Sequence, residues 1–425
     1  MDLKHFYKQD YAHRLAVLKE KTQLTTTELQ LIKAQQGSKG STVIENYLTD
    51  YPVPEGIAVN FKINGQERIV PMVTEEPSVI AAASNGAKLT RTNGIQATTT
   101  GRLMMGQVLM AQVTAPQELS AQLADHEAQI LAVANAAHPS IVKRGGGAKE
   151  IRVRQLEKQF VSLDVFIDTR EAMGANMINS MLEAVAHYVE TTWQQTSLMA
   201  ILSNLADRSL ASATCQIPVA QLASQTITGE ELAKKIVLAS QAAQVDPYRA
   251  TTHNKGIMNG IDAVVMATGN DWRGIESAAH AFAASSGQYR GLSTWELKGG
   301  LLIGKLTLPL PVGFVGGSIK LNAMAQLNQH LLQVQDALEL EEVIVSVGLA
   351  QNLAALKALV SEGIQRGHMR LQAKSLLLNV GAHESELTAA QAELSRAERV
   401  DEATAKRILN KLRNERNSNG EHKIK

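Results

Sequence analysis

The sequence predicts an α+β protein without a Rossmann core. It combines a large, mostly helical domain, a small inserted domain with the ferredoxin-like (βαββαβ) order, and a small helical C-terminal piece. Two observations carry the prediction. Between residues 103 and 218 the hydrophobic periodicity runs strand, helix, strand, strand, helix, strand, while helix-prone stretches dominate beyond it. The chain also contains no G-x-G-x-x-G and no G-x-x-x-x-G-K-[ST], which disfavours a standard dinucleotide fold and a P-loop. With 425 residues there is room for two or three domains. The expected division is 1–102 with 219–365 as the large domain, 103–218 as the insert, and 366–425 as the C-terminal piece.

From the N-terminus, residues 8–36 are polar, amphipathic and helix-prone. Alternation in Ile57–Ile63 and again in Glu67–Pro71, joined by Asn64 and Gly65, predicts a hairpin, because an Asn-Gly pair adopts the positive φ angles of a two-residue turn. A small-residue helix follows over Ser78–Lys88, with Pro77 in its first turn, where a missing N–H costs nothing. In the insert, a strand over 103–114 leads to a long helix over 117–137 and strands near 150–157 and 160–168. A helix over 174–195 and a closing strand near 211–218 complete it. Later come helices, a strand near 301–308, glycine turns at Gly313 and Gly316–Gly317, and a long helix from about residue 340. The end, Arg413–Lys425, cannot bury apolar surface and is expected to be disordered.

Composition narrows the chemistry. A hydrophobic fraction of 44% and a charged fraction of 20% describe an ordinary soluble globular chain. With 42 basic and 41 acidic residues, neither nucleic acid nor a membrane surface is expected as partner. Aromatics at 4% also argue against base-stacking platforms. The lone Cys215 excludes an intrachain disulfide, fits a reducing compartment and reads as structural. The N-terminus lacks a signal-peptide core, and no run approaches the roughly 18 apolar residues of a membrane helix, so a cytoplasmic, unanchored protein is expected. No histidine pair has metal-ligand spacing, so no metal site is expected. The G-x-S-x-G elbow is absent as well. What remains is acid–base and electrostatic chemistry by scattered groups.

Four segments concentrate glycine, small residues and polar groups. Val73–Ser78 sets Glu75 and Glu76 at a turn entering an apolar helix, where acids also suit the macrodipole. Asp168–Asn176 carries Gly174 where a strand ends and a helix begins, either as a tight turn or to bring N–H groups against a phosphate. His253–Asp262, continuing into Ala267–Arg273, places Lys255 and an acid among asparagines and glycines, where a cation can hold a developing oxyanion. Glu362–Met369 puts His368 just after a glycine. Taken singly, each has an ordinary structural explanation.

Together these segments resemble the signatures of class II (bacterial) 3-hydroxy-3-methylglutaryl-CoA (HMG-CoA) reductases, in order and spacing from about residue 40 to 380. The strongest stretches are VPMVTEEPSVIAAAS at 70–84, DPYRATTHNKGIMNGID at 246–262 and GLAQN at 348–352. The resemblance implies two-hydride reduction of a thioester to mevalonate and free CoA. It makes Lys255 the oxyanion-stabilising ammonium, Asp271 its neighbouring acid, Glu76 the proton donor to the carbonyl oxygen, and His368 the donor to the departing thiolate, on a mobile C-terminal flap. Ser78, Arg249, Thr252, Asn259, Gln351 and Asn352 match substrate-binding positions, Arg249 facing the substrate's free carboxylate.

For the cofactor, the resemblance points to Glu171, Met173, Gly174, Asn176 and Asn204 in the insert. Glu171 stands where the family commonly has Asp. His138 stands where NADH-using relatives place an acid that accepts from the ribose 2′-hydroxyl, and Lys143 and Arg144 follow. A carboxylate there would repel a 2′-phosphate and histidine would not, so NADPH is expected, with NADH the alternative. Glu45 and Asn46 are retained without the glycine that often follows. The resemblance also implies a homodimer with active sites between subunits, or a higher oligomer. Two other readings stay open: the same enzyme oxidising mevalonate with NAD and CoA, and a non-catalytic CoA-thioester-binding protein of the same fold.

Overall fold

Residues up to Pro54 form one unit and Glu55–Lys425 a second in the computed structural model, which describes every residue except 1–2, 38–39, 225, 318, 362–372, 375, 398 and 422–425. The first unit contains α1 (Tyr11–Thr22), α2 (Thr26–Ala34) and the short α3 (Gly40–Val43). Asp10 caps α1 by accepting from the His13 N–H, and Thr25 with Glu28 closes a capping box on α2. Glu45 and Asn46 lie in this unit, with Asn46 at φ 55.

The second unit opens with β1 (Glu55–Ile63) and β2 (Gln66–Val73), joined as expected by Asn64 and Gly65 at φ 49 and 81. Next, α4 (Val79–Thr90) starts after Ser78, so Pro77 falls one residue ahead of the cap and not in the first turn. β3 (Ile95–Thr99) and β4 (Leu103–Met110) follow. The long helix expected over 117–137 is two helices, α5 (Pro116–Asp125) and α6 (Glu127–Ala137), and α7 (Pro139–Lys143) comes next. The break is at His126, which leaves helical geometry at φ −102, ψ 19 and whose Nδ1 donates to the Gln122 carbonyl, 2.8 Å away.

The insert continues with β5 (Gly147–Leu156), β6 (Phe160–Asp168), α8 (Ala175–Trp193) and β7 (Ser197–Leu202). Its four-stranded sheet has the order β5-β6-β4-β7, all neighbours antiparallel, the arrangement that βαββαβ order produces. The strand expected to close it, near 211–218, lies elsewhere. β8 (Leu210–Pro218) pairs with β3 and β10 in the other sheet. Alternation in β8 buries Ala211, Ala213, Cys215 and Ile217, small groups that let a core helix approach. β7 is an edge strand with Leu198, Met199 and Ile201 exposed, so it lacks the alternation that marks a half-buried strand.

The remainder is α9 (Gly229–Val245), α10 (Pro247–Ala267), α11 (Trp272–Ala283), β9 (Ser293–Lys298), β10 (Leu301–Pro309), α12 (Ala323–Leu332) and α13 (Ala337–Val360). The helical part therefore surrounds a six-stranded sheet of order β2-β1-β3-β8-β10-β9. α13 packs on β3, β8 and β10, with α4 and α10 against it. Glycines set the close crossings: a methyl group on Gly86 of α4 would come 1.9 Å from the Ala350 carbonyl oxygen, and one on Gly260 of α10 would meet Gln351 Cβ at 3.0 Å. By length and composition α13 could cross a membrane, which corrects the expectation that no stretch comes near that requirement. Most of it is nonetheless buried inside the protein as its central core helix.

The C-terminal piece has its own core, with Leu377, Leu387, Ala390, Leu394, Ala405 and Leu409 buried between α14 (Glu384–Leu394) and α15 (Glu402–Glu421). α15 runs through Arg413, where a disordered end was expected, as far as Glu421, and the expectation for 422–425 lies outside the described residues. That arginine donates Nε and Nη2 to the two Glu386 carboxylate oxygens at 2.8 Å each, and Nη2 also to the Gly381 carbonyl. The pair, with the His383 N–H, holds the Glu386 carboxyl down to about 2.

Candidate active site

α10 begins at Asp246, whose side chain caps it, with Pro247 in the first turn. Helical spacing then brings Thr252, Lys255 and Asn259 onto one stripe, with Arg249 beside it. Thr252 and Lys255 are exposed, Arg249 and Asn259 half-buried. Asp262 continues this stripe two turns beyond Lys255. Burial and then the neighbouring Glu276 push it up to about 9, so the proton stays on Asp262. Glu276 in turn is held low, first by its hydrogen bond to His280, which sits 2.6 Å away.

The Glu76 turn leaves the end of β2, a strand packed on α10. Glu76 is half-buried; its N–H donates to Thr74 Oγ1 at 3.1 Å, and Ser78 Oγ donates to its Oε1 at 3.0 Å. Glu76 and Ser78 are thus directly bonded, as neighbours in one site need to be. His368 lies outside the described residues.

A cavity of about 280 Å³ gathers a different set. Its walls are Ala172–Met177 from the insert, Gly269–Asp271 before α11, and Gly313 with Val315–Gly317 after β10. Met173, Gly174, Asn176 and Asp271 therefore share one cleft, and neither Glu76 nor Lys255 lines it. Gly174 adopts φ 89 and caps the 19-residue α8 with no side-chain hydrogen bond, so the helix offers its first N–H groups to the cleft. A side chain at Gly174 would meet Thr169 at 2.8 Å. A backbone-lined cradle at a helix N-terminus suits the diphosphate of a nicotinamide dinucleotide, and the residues present fit that group.

Asp271 caps α11 by accepting from the Gly274 N–H at 3.2 Å, and Asn204 Oδ1 lies 3.6 Å from where a methyl on Gly274 would sit. Asn204 thus joins Asp271 at one helix end. Among the described residues the His138 side chain makes a local contact, Nδ1 to Ser140 Oγ at 3.1 Å. The turn after it approaches the Gly174 loop through Arg170, whose Nε donates to the Arg144 carbonyl at 3.1 Å.

Two expected site residues, Glu171 and Asn352, are engaged otherwise. The Glu171 carboxylate accepts from the Ala337 N–H at 2.8 Å and so caps α13, while its carbonyl accepts from Phe314 and Val315 N–H. Asn352 is buried, and its Oδ1 accepts from Ser293 Oγ at 2.8 Å and Trp295 Nε1 at 2.7 Å. Its Nδ2 faces His253 Nε2 at 3.2 Å. Gln351 is buried against Gly260. The Asn352 amide is thus spent on core contacts that long-range packing dictates, whereas Gln351 Oε1 is buried without a hydrogen-bond partner among the described residues.

His253 completes that network through Ser293 Oγ at 2.6 Å. Burial, then the Arg249 charge, pushes it down to about 4 from an ordinary 6.5. The unfolded chain therefore takes up a proton first, and stability is lost as pH falls from about 6.5 towards about 4. The thermal midpoint of His253→Gln should decline less over that window than that of wild type; equal slopes would refute the assignment.

Sequence reasoning missed Asn270 and Arg102. Asn270 exchanges two hydrogen bonds with the Gly313 backbone, Oδ1 from its N–H at 2.7 Å and Nδ2 to its carbonyl at 3.1 Å. Its place beside Asp271 and the glycine cluster at 313–317 were the available signals. Arg102 is buried and pairs with Glu341, whose carboxyl is raised by burial while Arg102 opposes that shift. A lone arginine ahead of an apolar strand was the only hint.

A family model for hydroxymethylglutaryl-coenzyme A reductase matches residues 10–373. The chain is 39% identical to the 3-hydroxy-3-methylglutaryl-coenzyme A reductase of Archaeoglobus fulgidus, over 96% of this chain and 94% of that one. It is 35% identical to a probable enzyme of that name from Borreliella burgdorferi, over 79% and 77% of the two chains. Among solved structures, it is similar to the class II enzyme of Streptococcus pneumoniae bound to NADPH in open conformations, with 48% identity, a TM-score of 0.75, and coverage of 95% and 100%. A second structure of the pneumococcal enzyme gives 47% identity and a TM-score of 0.76, over 97% of this chain and 100% of that one. With its fold, its glycine-lined cleft and these likenesses agreeing, the chain belongs to the hydroxymethylglutaryl-coenzyme A reductase family.

Proposed function

We propose that this protein reduces the thioester of HMG-CoA to mevalonate and free CoA with NADPH, in the direction of isoprenoid synthesis. The observation that carries this reading is the cleft shared by the Met173–Asn176 loop, the start of α8, where no side chain accepts from the helix N–H groups, and Asp271. Each NADPH bound there would supply one hydride and leave as NADP+, so two would be used in turn, the first for the thioester carbonyl and the second for the aldehyde after CoA has left. The insert would hold the cofactor and the large domain the thioester.

The protein's own groups do the rest. The Lys255 ammonium stabilises the oxyanion formed at each hydride addition, most strongly once water is excluded. Glu76 delivers a proton to the carbonyl oxygen, and the Ser78 hydroxyl holds its Oε1 in place. Asp271, with Asn204 beside it, orients the cleft side of the reacting group. Arg249 offers a guanidinium fork to the substrate's free carboxylate, with Thr252 and Asn259 alongside. His368 is assigned the proton for the CoA thiolate by resemblance alone. Asn352 and Glu171 act from beneath, fixing α13 against its neighbours, while Gln351, whose Oε1 has no hydrogen-bond partner among the described residues, keeps the substrate-binding role that the resemblance gives it.

Because Lys255 and its stripe do not line the cleft, we assign the complete site to two chains, with the cleft of one facing α10 of its partner. Tyr248 on that helix is 86% exposed, as an uncovered interface residue would be. Light scattering that finds an active enzyme to be monomeric would end this part of the reading. The C-terminal piece, with its separate core, is the cover that closes on substrate.

Oxidation of NADPH that depends on HMG-CoA tests the function directly. The cofactor choice rests on His138, Lys143 and Arg144 near a ribose 2′-phosphate. We expect kcat/KM for NADPH to exceed that for NADH by about tenfold or more, the scale of one retained charge contact. A clear preference for NADH would refute it.

A further inference from the structure

We infer that Arg102 is the positioning residue of the nicotinamide cleft, and that it acts by stitching the cleft's two backbone walls together. Arg102 lies where the chain first passes from the six-stranded sheet into the insert, between β3 and β4, and is 8% exposed. Its Nε donates to the Arg170 carbonyl. Its Nη2 donates to the Ala172 carbonyl at 3.2 Å and to the Val312 carbonyl at 2.6 Å, while Nη1 binds Glu341 of α13. Arg170 and Ala172 flank the loop that leads into Met173 and Gly174; Val312 immediately precedes Gly313 on the opposite wall. The remaining carbonyl of the loop, Glu171, accepts from Phe314 and Val315, so the two walls are tied through three consecutive residues.

Only arginine suits this task. A planar guanidinium presents several N–H donors in fixed directions, whereas a lysine ammonium could reach Glu341 without also holding three carbonyls on two segments. Arg102 does not line the cavity, so it acts through the backbone it holds. Glu341 has a different part: its carboxylate compensates a cation that the fold has buried. Pairs of this kind contribute little net stability, and Glu341 Oε2 has no hydrogen-bond partner among the described residues, so the positioning rests on the bonds of Arg102 to the carbonyls.

The inference rests on the cleft being the NADPH site, and the wild-type enzyme tests that first. If wild type does not oxidise NADPH with HMG-CoA, the functional reading fails and this inference falls with it. Given an active wild type, the decisive protein is the double variant Arg102→Met/Glu341→Leu, which removes both buried charges and keeps volume. We expect it to melt above the single Arg102→Met, which leaves Glu341 as a lone buried acid, and below wild type, because the Arg170, Ala172 and Val312 carbonyls lose their donor. Its Kd and KM for NADPH should nonetheless rise about tenfold, with the KM for HMG-CoA unchanged, as for loss of cofactor binding alone. A role confined to charge compensation predicts that NADPH affinity returns with stability, and that outcome overturns the proposal. Should the double variant not fold, Arg102→Lys retains the Glu341 pair and loses the fork. The same rise in NADPH KM is expected of it, and wild-type affinity there is equally fatal.

Discussion

Lys255→Ala should lower kcat for HMG-CoA-dependent NADPH oxidation by about 10²–10³-fold or more, the cost of removing a group that stabilises a developing oxyanion. KM for HMG-CoA should change little, because the lost interaction is made chiefly in the transition state. The fold should survive. Lys255 is exposed on α10, no buried acid among the described residues pairs with it, and alanine is the best helix former. Steady-state kinetics beside a melting curve separate these effects. A variant that melts like wild type and keeps its kcat would remove Lys255 from the chemistry, and with it the reason for reading α10 as the catalytic helix.

The largest loss of stability should come from Gly86→Ala. A methyl group there meets the Ala350 carbonyl oxygen at 1.9 Å, and the carbonyl carbon at 2.6 Å, both belonging to the backbone of the central helix. No rotamer relieves such a contact, so α4 and α13 must separate. Overpacking of this kind costs about 3 kcal/mol or more. Gly65→Ala is the control: nothing lies within 4 Å of its added methyl, and only a φ of 81 is strained. That variant should lose about 1 kcal/mol. Urea unfolding of both would decide the matter; equal losses would mean that the α4–α13 crossing is not the tight point the packing indicates. Because α13 leads on from Ala350 to Gln351 and Asn352, any Gly86→Ala protein that folds should also bind HMG-CoA poorly.

Much of the fold is legible in the sequence. The hairpin follows from Asn64 and Gly65, since few residue pairs tolerate two positive φ angles in succession. Three of the insert's four strands and its second helix follow from periodicity, and Gly174 announces where that helix starts. Other elements are hidden for physical reasons. β7 lies at a sheet edge with both faces partly wet, so its residues do not alternate, and the alternating β8 is the strand that periodicity puts in its place. The helix across His126 looks continuous because its break depends on a bond to Gln122 and a ring contact with Trp193.

The same distinction runs through the site. Residue type and spacing are enough to put Lys255, Thr252 and Asn259 on one helical stripe, to pair Glu76 with Ser78 and to set Met173–Asn176 at a helix start, because each depends on neighbours within a few positions. The duties of Asn352, Glu171 and Arg102 depend on partners 57, 166 and 239 positions away. A buried amide or guanidinium bonds to whatever packing places opposite it, and an unpaired polar group inside the protein is too costly to leave. Local pattern settles which groups a segment can present. Only the packed molecule settles which of them remain free for a ligand, since hydrogen bonds already made within the core are no longer available to a substrate.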